Sequence, residues 1–246
     1  MRIMEIKLNS ISNPGISFTD DVNQKIILLY NYINKNREKK ISYSDFQAEL
    51  INEKIFSGSY IRSFIPFLRN FGVVNDYSNI DFNTFFTRNG KIYVNNIIDY
   101  YKLKDFEDEN IIIKKVKNIK EDLICLFLDY LCDHKNKYYE KYLDILFFIE
   151  KYNKICKKEF YIYEYCKENN LESDELISAY RQNLENFEII FYGKNNNEIG
   201  NNAFNYFIAL LSEDQCNYVL KMDQNYYKLN ENRKELVDSI IKNYIY

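Results

Sequence analysis

Residues 26–101 and 145–244 carry the same pattern of apolar and polar positions, so the chain is constrained to hold one structural unit twice. Ile26-Ile27-Leu28-Leu29 corresponds to Ile145-Leu146-Phe147-Phe148, and Lys39-Lys40 to Lys157-Lys158. Phe67-Leu68-Arg69-Asn70-Phe71 corresponds to Asn183-Leu184-Glu185-Asn186-Phe187. Val94, Ile97, Ile98 and Tyr101 correspond to Val237, Ile240, Ile241 and Tyr244. The offset is 119 at the start, 116 in the middle and 143 at the end, so the second copy carries an insertion. A length of 246 residues accommodates two such units in tandem.

Hydrophobic residues make up 46%, enough to build cores and to argue against disorder. Six Gly and two Pro speak against a loop-rich β sandwich. The 24 Tyr and 18 Phe are read mainly as core filling, and the surplus of Asn, Ile, Lys and Tyr carries no functional weight. Cys125, Cys132, Cys156, Cys166 and Cys216 form no C-x-x-C pair, and Arg2, Glu5 and Lys7 interrupt any secretory apolar segment. Reduced, mostly buried thiols and a cytoplasmic location are therefore expected. Apolar runs are broken by Asp or Lys before they reach membrane-spanning length.

The net charge of −3 is unevenly spread. Residues 1–104 hold 14 Lys and Arg against 10 Asp and Glu, whereas residues 105–246 hold 19 against 26. A polyanion would therefore meet the first half, while the second half would repel it.

Periodicity predicts an extended N-terminal arm over 1–21, with Ile3 to Leu8 extended and a turn at Asn13-Pro14-Gly15. A first helix starts at Asp20-Asp21, where acidic residues suit the helix dipole, and runs through Ile26, Leu29, Tyr30 and Ile33. Ser42 or Ser44 caps a second helix bearing Phe46, Leu50 and Ile51. A third starts at Ser57-Gly58-Ser59, with Pro66 expected to kink it or delay its start. Gly72 ends that helix, and Val73-Val74 is expected to pair with Ile80, Phe82 and Thr84 as a hairpin. A closing helix is expected from Thr87 rather than a turn at Asn89-Gly90. Residues 105–137 read as a charged connector and a helix from Glu121 to His134. In the second copy, helices are expected over 138–152, 159–168 and 173–184, followed by a strand from Glu188 and a polar loop over 194–202. An inserted helix over 203–211, a hairpin of Tyr218-Val219-Leu220 with Tyr226-Tyr227-Lys228, and a helix from Asn232 complete it.

Three helices, a hairpin and a closing helix, with Ser59–Phe71 leading into Gly72-Val73-Val74, resemble the winged helix-turn-helix superfamily. The resemblance covers residues 22–104. It implies a mainly α, α+β fold of tandem winged helix-turn-helix domains, 22–104 and 138–246, joined by a helical linker. It also implies that the third helix of the first domain enters the major groove of double-stranded DNA. Ser57, Ser59, Tyr60, Arg62, Ser63 and Arg69 lie off its apolar stripe, and Lys39 and Lys40 are placed to hold backbone phosphates. The alternative for this face is a solvated helix surface. Asp76 and Asp81 near the wing oppose phosphate binding there. In the second copy Glu172, Asp174, Glu175, Glu185 and Glu188 surround a single Arg181, so that copy reads as a dimerising or partner-binding unit.

Catalytic patterns are sparse. His134 is the single histidine, expected at a helix end, which leaves no basis for a His/Cys zinc site or a His-dependent nucleophile. Glu5-Ile6-Lys7 has nuclease-like local spacing without an upstream partner, and the acidic run Asp105 to Glu109 reads as a solvated helix end. No phosphate-binding glycine loop occurs, and none of the 24 tyrosines stands out as a nucleophile. Neither a cofactor, a metal nor a small-molecule substrate is expected. The leading expectation is a non-enzymatic DNA-associated regulator or accessory factor, such as part of a phage-defence or restriction system. The alternative is an adaptor similar to the kleisin-interacting tandem winged-helix (KITE) subunits of SMC-type ATPase complexes, acting through protein contacts.

Overall fold

The computed structural model describes residues 2–75, 79–105, 108–132, 138–195, 197–222 and 225–245. The chain is mainly helical, with three small sheets among those residues. It forms two compact units, inner and outer by their order along the sequence: the inner unit, Pro14–Tyr139 with Asp214–Cys216, and the outer unit, whose segments Met1–Asn13, Glu140–Glu213 and Asn217–Tyr246 flank it in the chain. No helix among the described residues is long and apolar enough to cross a membrane.

The chain opens with strand β1 (Arg2–Asn9) of the outer unit. The inner unit then builds α1 (Asp20–Lys35), β2 (Lys40–Ser42), α2 (Tyr43–Asn52), α3 (Gly58–Asn70), β3 (Asn79–Asp81), α4 (Arg88–Leu103) and α5 (Glu109–Cys132). Side-chain oxygens start four of these helices. Thr19, Ser42, Ser57 and Thr87 accept from the backbone N–H groups of Val22, Asp45, Tyr60 and Gly90. After α3, Gly72 adopts φ +64°, a left-handed turn that glycine takes without steric cost. The core is aromatic: Phe46, Phe64, Phe82, Phe85 and Tyr93 are fully buried.

Three features depart from the sequence expectation. Val73-Val74 forms no strand; Val74 makes one bridge to Phe86, and β3 pairs antiparallel with β2 through Ile41 and Ile80. The backbone after β3 tightens into a 3₁₀ turn, Phe82–Thr84, because the Asp81 carboxylate accepts from Asn83 N at 3.0 Å. The charged connector is helix for most of its length. Lys115 to Asp99 at 2.8 Å, Asn96 to Asp122 at 2.7 Å and Asn89 to Asp129 at 2.6 Å dock α5 along α4, so α5 begins twelve residues before Glu121.

The outer unit contains α6 (Tyr139–Tyr152), α7 (Lys157–Glu168), α8 (Ser173–Arg181), β4 (Glu185–Tyr192), β5 (Glu198–Ile199), α9 (Ala203–Leu211), β6 (Val219–Lys221), β7 (Tyr227–Leu229) and α10 (Lys234–Ile245). The N-terminal segment is extended as expected, but it is a sheet strand: β1 runs parallel to β4 over eight residue pairs. Residues Asn183–Phe187, matched in sequence to the end of α3 and in part expected to be helix, are a turn and the start of β4. Asn183 at φ +54° ends the helix early, and Glu185–Tyr192 then meets β1. The match of Lys39-Lys40 to Lys157-Lys158 also fails, because Lys40 lies in β2 whereas Lys157-Lys158 open α7. A shared order of elements is still visible. Ile155 bridges Tyr227 antiparallel, as Ile41 pairs with Ile80, and Asn230 starts a 3₁₀ turn by accepting from Asn232 N at 3.1 Å, as Asp81 does. The expected wing tip at Asp76, Glu107 of the acidic run, Asp133 with His134, and Asp223-Gln224 lie outside the described residues.

Gly90 shows how closely the inner unit is packed. A Cβ there would lie 1.9 Å from the Val73 carbonyl oxygen, a backbone atom that cannot yield alone. Gly90→Ala is expected to lower the unfolding free energy by about 2–3 kcal/mol. Gly200→Ala, which meets nothing within 4 Å, should change it by less than about 0.5 kcal/mol. Urea denaturation followed by circular dichroism checks both.

Candidate nucleic-acid interface

The α3 helix is amphipathic by necessity. Ile61, Phe64, Ile65, Phe67 and Leu68 are buried, which leaves Ser59, Arg62, Ser63 and Arg69 on the exposed face at helical spacing. Arg62 and Arg69 are two turns apart, roughly 10 Å along the axis. Ser57 caps the helix at 3.4 Å from Tyr60 N, and its hydroxyl lies 3.3 Å from that of Ser59. Ser63 donates back to the Tyr60 carbonyl at 3.0 Å. Arg62 has no ion-pair partner among the described residues, so its guanidinium is available to a phosphate or a guanine edge. Ser63 and Arg69 share a cleft of about 450 Å³ with Pro66, Phe71 and Tyr130, and the last two rings stack at 4.6 Å.

Tyr60 is drawn off that face. Its ring stacks on Phe64 at 4.9 Å and carries the Lys25 ammonium 4.4 Å above it. Burial, with the Asp21 charge, pushes its hydroxyl up to about 12. The two lysines are also engaged. Lys39 pairs with Glu49 at 2.8 Å and Lys40 with Asp81 at 2.9 Å. Tyr32 donates to Glu49 as well, and hydrogen bonds from Lys39 and then Tyr32 hold the Glu49 carboxyl below its usual range. Arg37 is an exposed cation the sequence reading did not single out. Its guanidinium rests on Asn34 Oδ1 at 3.0 and 3.1 Å, a local i, i+3 contact that a search for motifs does not weigh.

The counterpart helix of the outer unit is built differently. Glu172, Asp174 and Glu175 are exposed, and Lys151 pairs with Asp174 at 2.9 Å. Arg181 faces inward. Its Nε donates to Glu159 Oε1 at 2.6 Å, and its terminal nitrogens donate to the Tyr152 and Lys154 carbonyls at 3.0 and 2.9 Å. Glu159 in turn accepts from Cys156 N at 3.0 Å, closing the first turn of α7. One guanidinium thus ties the end of α6, the start of α7 and the end of α8, and it is spent on structure. A second charge cluster lies nearby in sequence. Lys167 holds Asp144 at 2.6 and 2.7 Å, and Lys141 sits between Asp144 and the buried Glu164, whose carboxyl burial pushes upward.

Among the described residues no group of His, Cys, Asp and Glu is arranged to hold a metal ion, and all five cysteines are free thiols. No protein-family model, no curated protein and no solved structure matches this chain.

Arg181→Ala strands the fully buried Glu159 carboxylate and two carbonyls. It is expected to cost about 3–5 kcal/mol, and Arg181→Lys should recover little because one ammonium cannot reach three acceptors in that geometry. Chemical denaturation of the full chain checks this. Glu49→Gln should cost on the order of 0.5–1 kcal/mol at neutral pH. Because the Glu49 carboxyl is held low, that difference is present above the ordinary carboxylate range and disappears as pH falls through its lowered value. Denaturation midpoints of both proteins across acid pH measure it.

Proposed function

We propose that the chain is a non-enzymatic DNA-associated protein of tandem winged-helix type. The inner unit contacts duplex DNA through the exposed face of α3, and the outer unit makes the contact to a second copy or to another protein. The observation that carries the DNA half is the exposed stripe of Ser59, Arg62, Ser63 and Arg69 on a capped helix, with no ion-pair partner for Arg62 among the described residues. The N-terminal positive end of α3 and its hydroxyls suit phosphate oxygens, and the arginines suit phosphate or guanine. Support for the second half is the acidic face of α8 and the internal engagement of Arg181, which leaves that helix no cation for DNA. The same features favour protein contact over DNA in the outer unit, as an adaptor of the kleisin-interacting kind would require.

The ion pairs of Lys39 and Lys40 give this reading a second edge. In isolation each lysine is neutralised by a carboxylate, and phosphate must compete for it. Fluorescence anisotropy with a random-sequence duplex across salt concentrations tests the proposal. Arg62→Ala with Arg69→Ala is expected to weaken binding by about tenfold or more and to lower the salt slope by about 2. Glu49→Gln with Asp81→Asn should instead tighten binding severalfold by releasing both lysines. Equal affinity of wild type and the arginine variant at all salt concentrations would remove α3 as the interface.

A further inference from the structure

We infer that β1 is a self-pairing edge, and that two copies of this chain associate by joining their β1 strands antiparallel into one continuous sheet. The inference gives the outer unit's half of the proposal above a surface and an occupant, and it rests on that half alone.

Sheet order places β1 at an edge, with β4 as its neighbour and β5 beyond. Backbone groups along a strand point alternately to its two sides. Ser10 N donates to the Tyr192 carbonyl at 3.0 Å, so even-numbered positions of β1 direct their N–H and C=O toward β4. Ile3, Glu5, Lys7 and Asn9 therefore direct theirs away from it, and all four are exposed. Ile3 is 64% exposed, an apolar side chain on the same face as Glu5 and Lys7. The opposite face holds Ile6 and Leu8, which are buried in the unit's own core. The edge is thus long, regular and stocked with backbone groups that no other strand pairs among the described residues.

Edges of this kind are usually guarded by charge, a lysine above all. Here the guard is self-complementary. Glu5 and Lys7 lie two residues apart on one face, 3.5 Å from each other within the strand. When two β1 strands run antiparallel about Ile6, Glu5 stands directly opposite Lys7 of the second copy, and Lys7 opposite its Glu5. Ile3 then meets Asn9, and the outward N–H and C=O groups of the odd positions face one another. Sliding the register by one hydrogen-bonded pair sets Glu5 against Glu5, or Lys7 against Lys7. Charge therefore selects the register centred on Ile6, since directly opposed like charges are destabilising and opposed unlike charges are favourable. A lone lysine would repel its copy; a Glu-x-Lys edge recruits it.

The test is sedimentation velocity of the full chain from low micromolar to submillimolar concentration, with DNA affinity measured separately. Wild type should show a concentration-dependent dimer. Glu5→Lys alone opposes Lys with Lys, and Lys7→Glu alone opposes Glu with Glu, so each should weaken self-association by about tenfold or more. Mixing the two variants restores opposite charges at both positions, and they should form a mixed dimer with near wild-type affinity. Both substitutions are at exposed positions, so circular dichroism and thermal melts should match wild type. A chain that stays monomeric throughout overturns the inference, and so does a dimer that neither variant weakens or a mixture that fails to recover. DNA binding lost through Arg62 and Arg69 with the dimer intact would strike only the DNA reading.

Discussion

The architecture depends on the pairing of Arg2–Asn9 with Glu185–Tyr192, a parallel ladder between segments some 180 residues apart. Closing so long a loop from an unfolded chain is entropically costly, although the cost grows only with the logarithm of length. The inner unit removes most of that cost. Pro14, near its start, and Tyr138, near its end, line the same cleft, so once it folds its two ends are close. The inner unit then acts as a short connector between β1 and α6, in the way inserted domains generally do. An N-terminal strand is thereby built into the outer unit.

The two units share part of one order of elements. In each, a residue after the first helix pairs antiparallel with a strand that leads into a 3₁₀ turn started by an Asx side chain, and a helix follows. What differs is how the third helix ends. In the inner unit Gly72 turns the chain into a tight return that lets α4 approach Val73. In the outer unit the chain instead enters β4, then β5, α9 and β6, before the shared order resumes at β7. The inserted elements give the sheet that accepts β1.

Most helix starts were legible because they depend on local chemistry, though the start of α5 at Glu109 was not. Ser42, Ser57 and Thr87 sit where short polar side chains reach free N–H groups, and the inserted helix lies where its apolar run predicts. The candidate site was legible in part. Ser59, Arg62, Ser63 and Arg69 share a face because 3.6 residues per turn demands it. Tyr60 lies off that face because its ring fits between Phe56 and Phe64, and Lys39 and Lys40 are engaged by Glu49 and Asp81, ten and forty-one residues away in sequence. Spacing alone carries no information about such partners.

From sequence alone, this protein's periodic apolar pattern, the starts of most of its helices and the charge contrast between its halves are determined, since each follows from residue type and short-range periodicity. Only tertiary structure decides that the first strand belongs to the outer unit, that β3 pairs with β2, and that Arg181 faces inward to hold Glu159. Those outcomes depend on which distant backbone edges and buried charges meet, and a carboxylate sealed in a core must find its cation wherever the fold brings one.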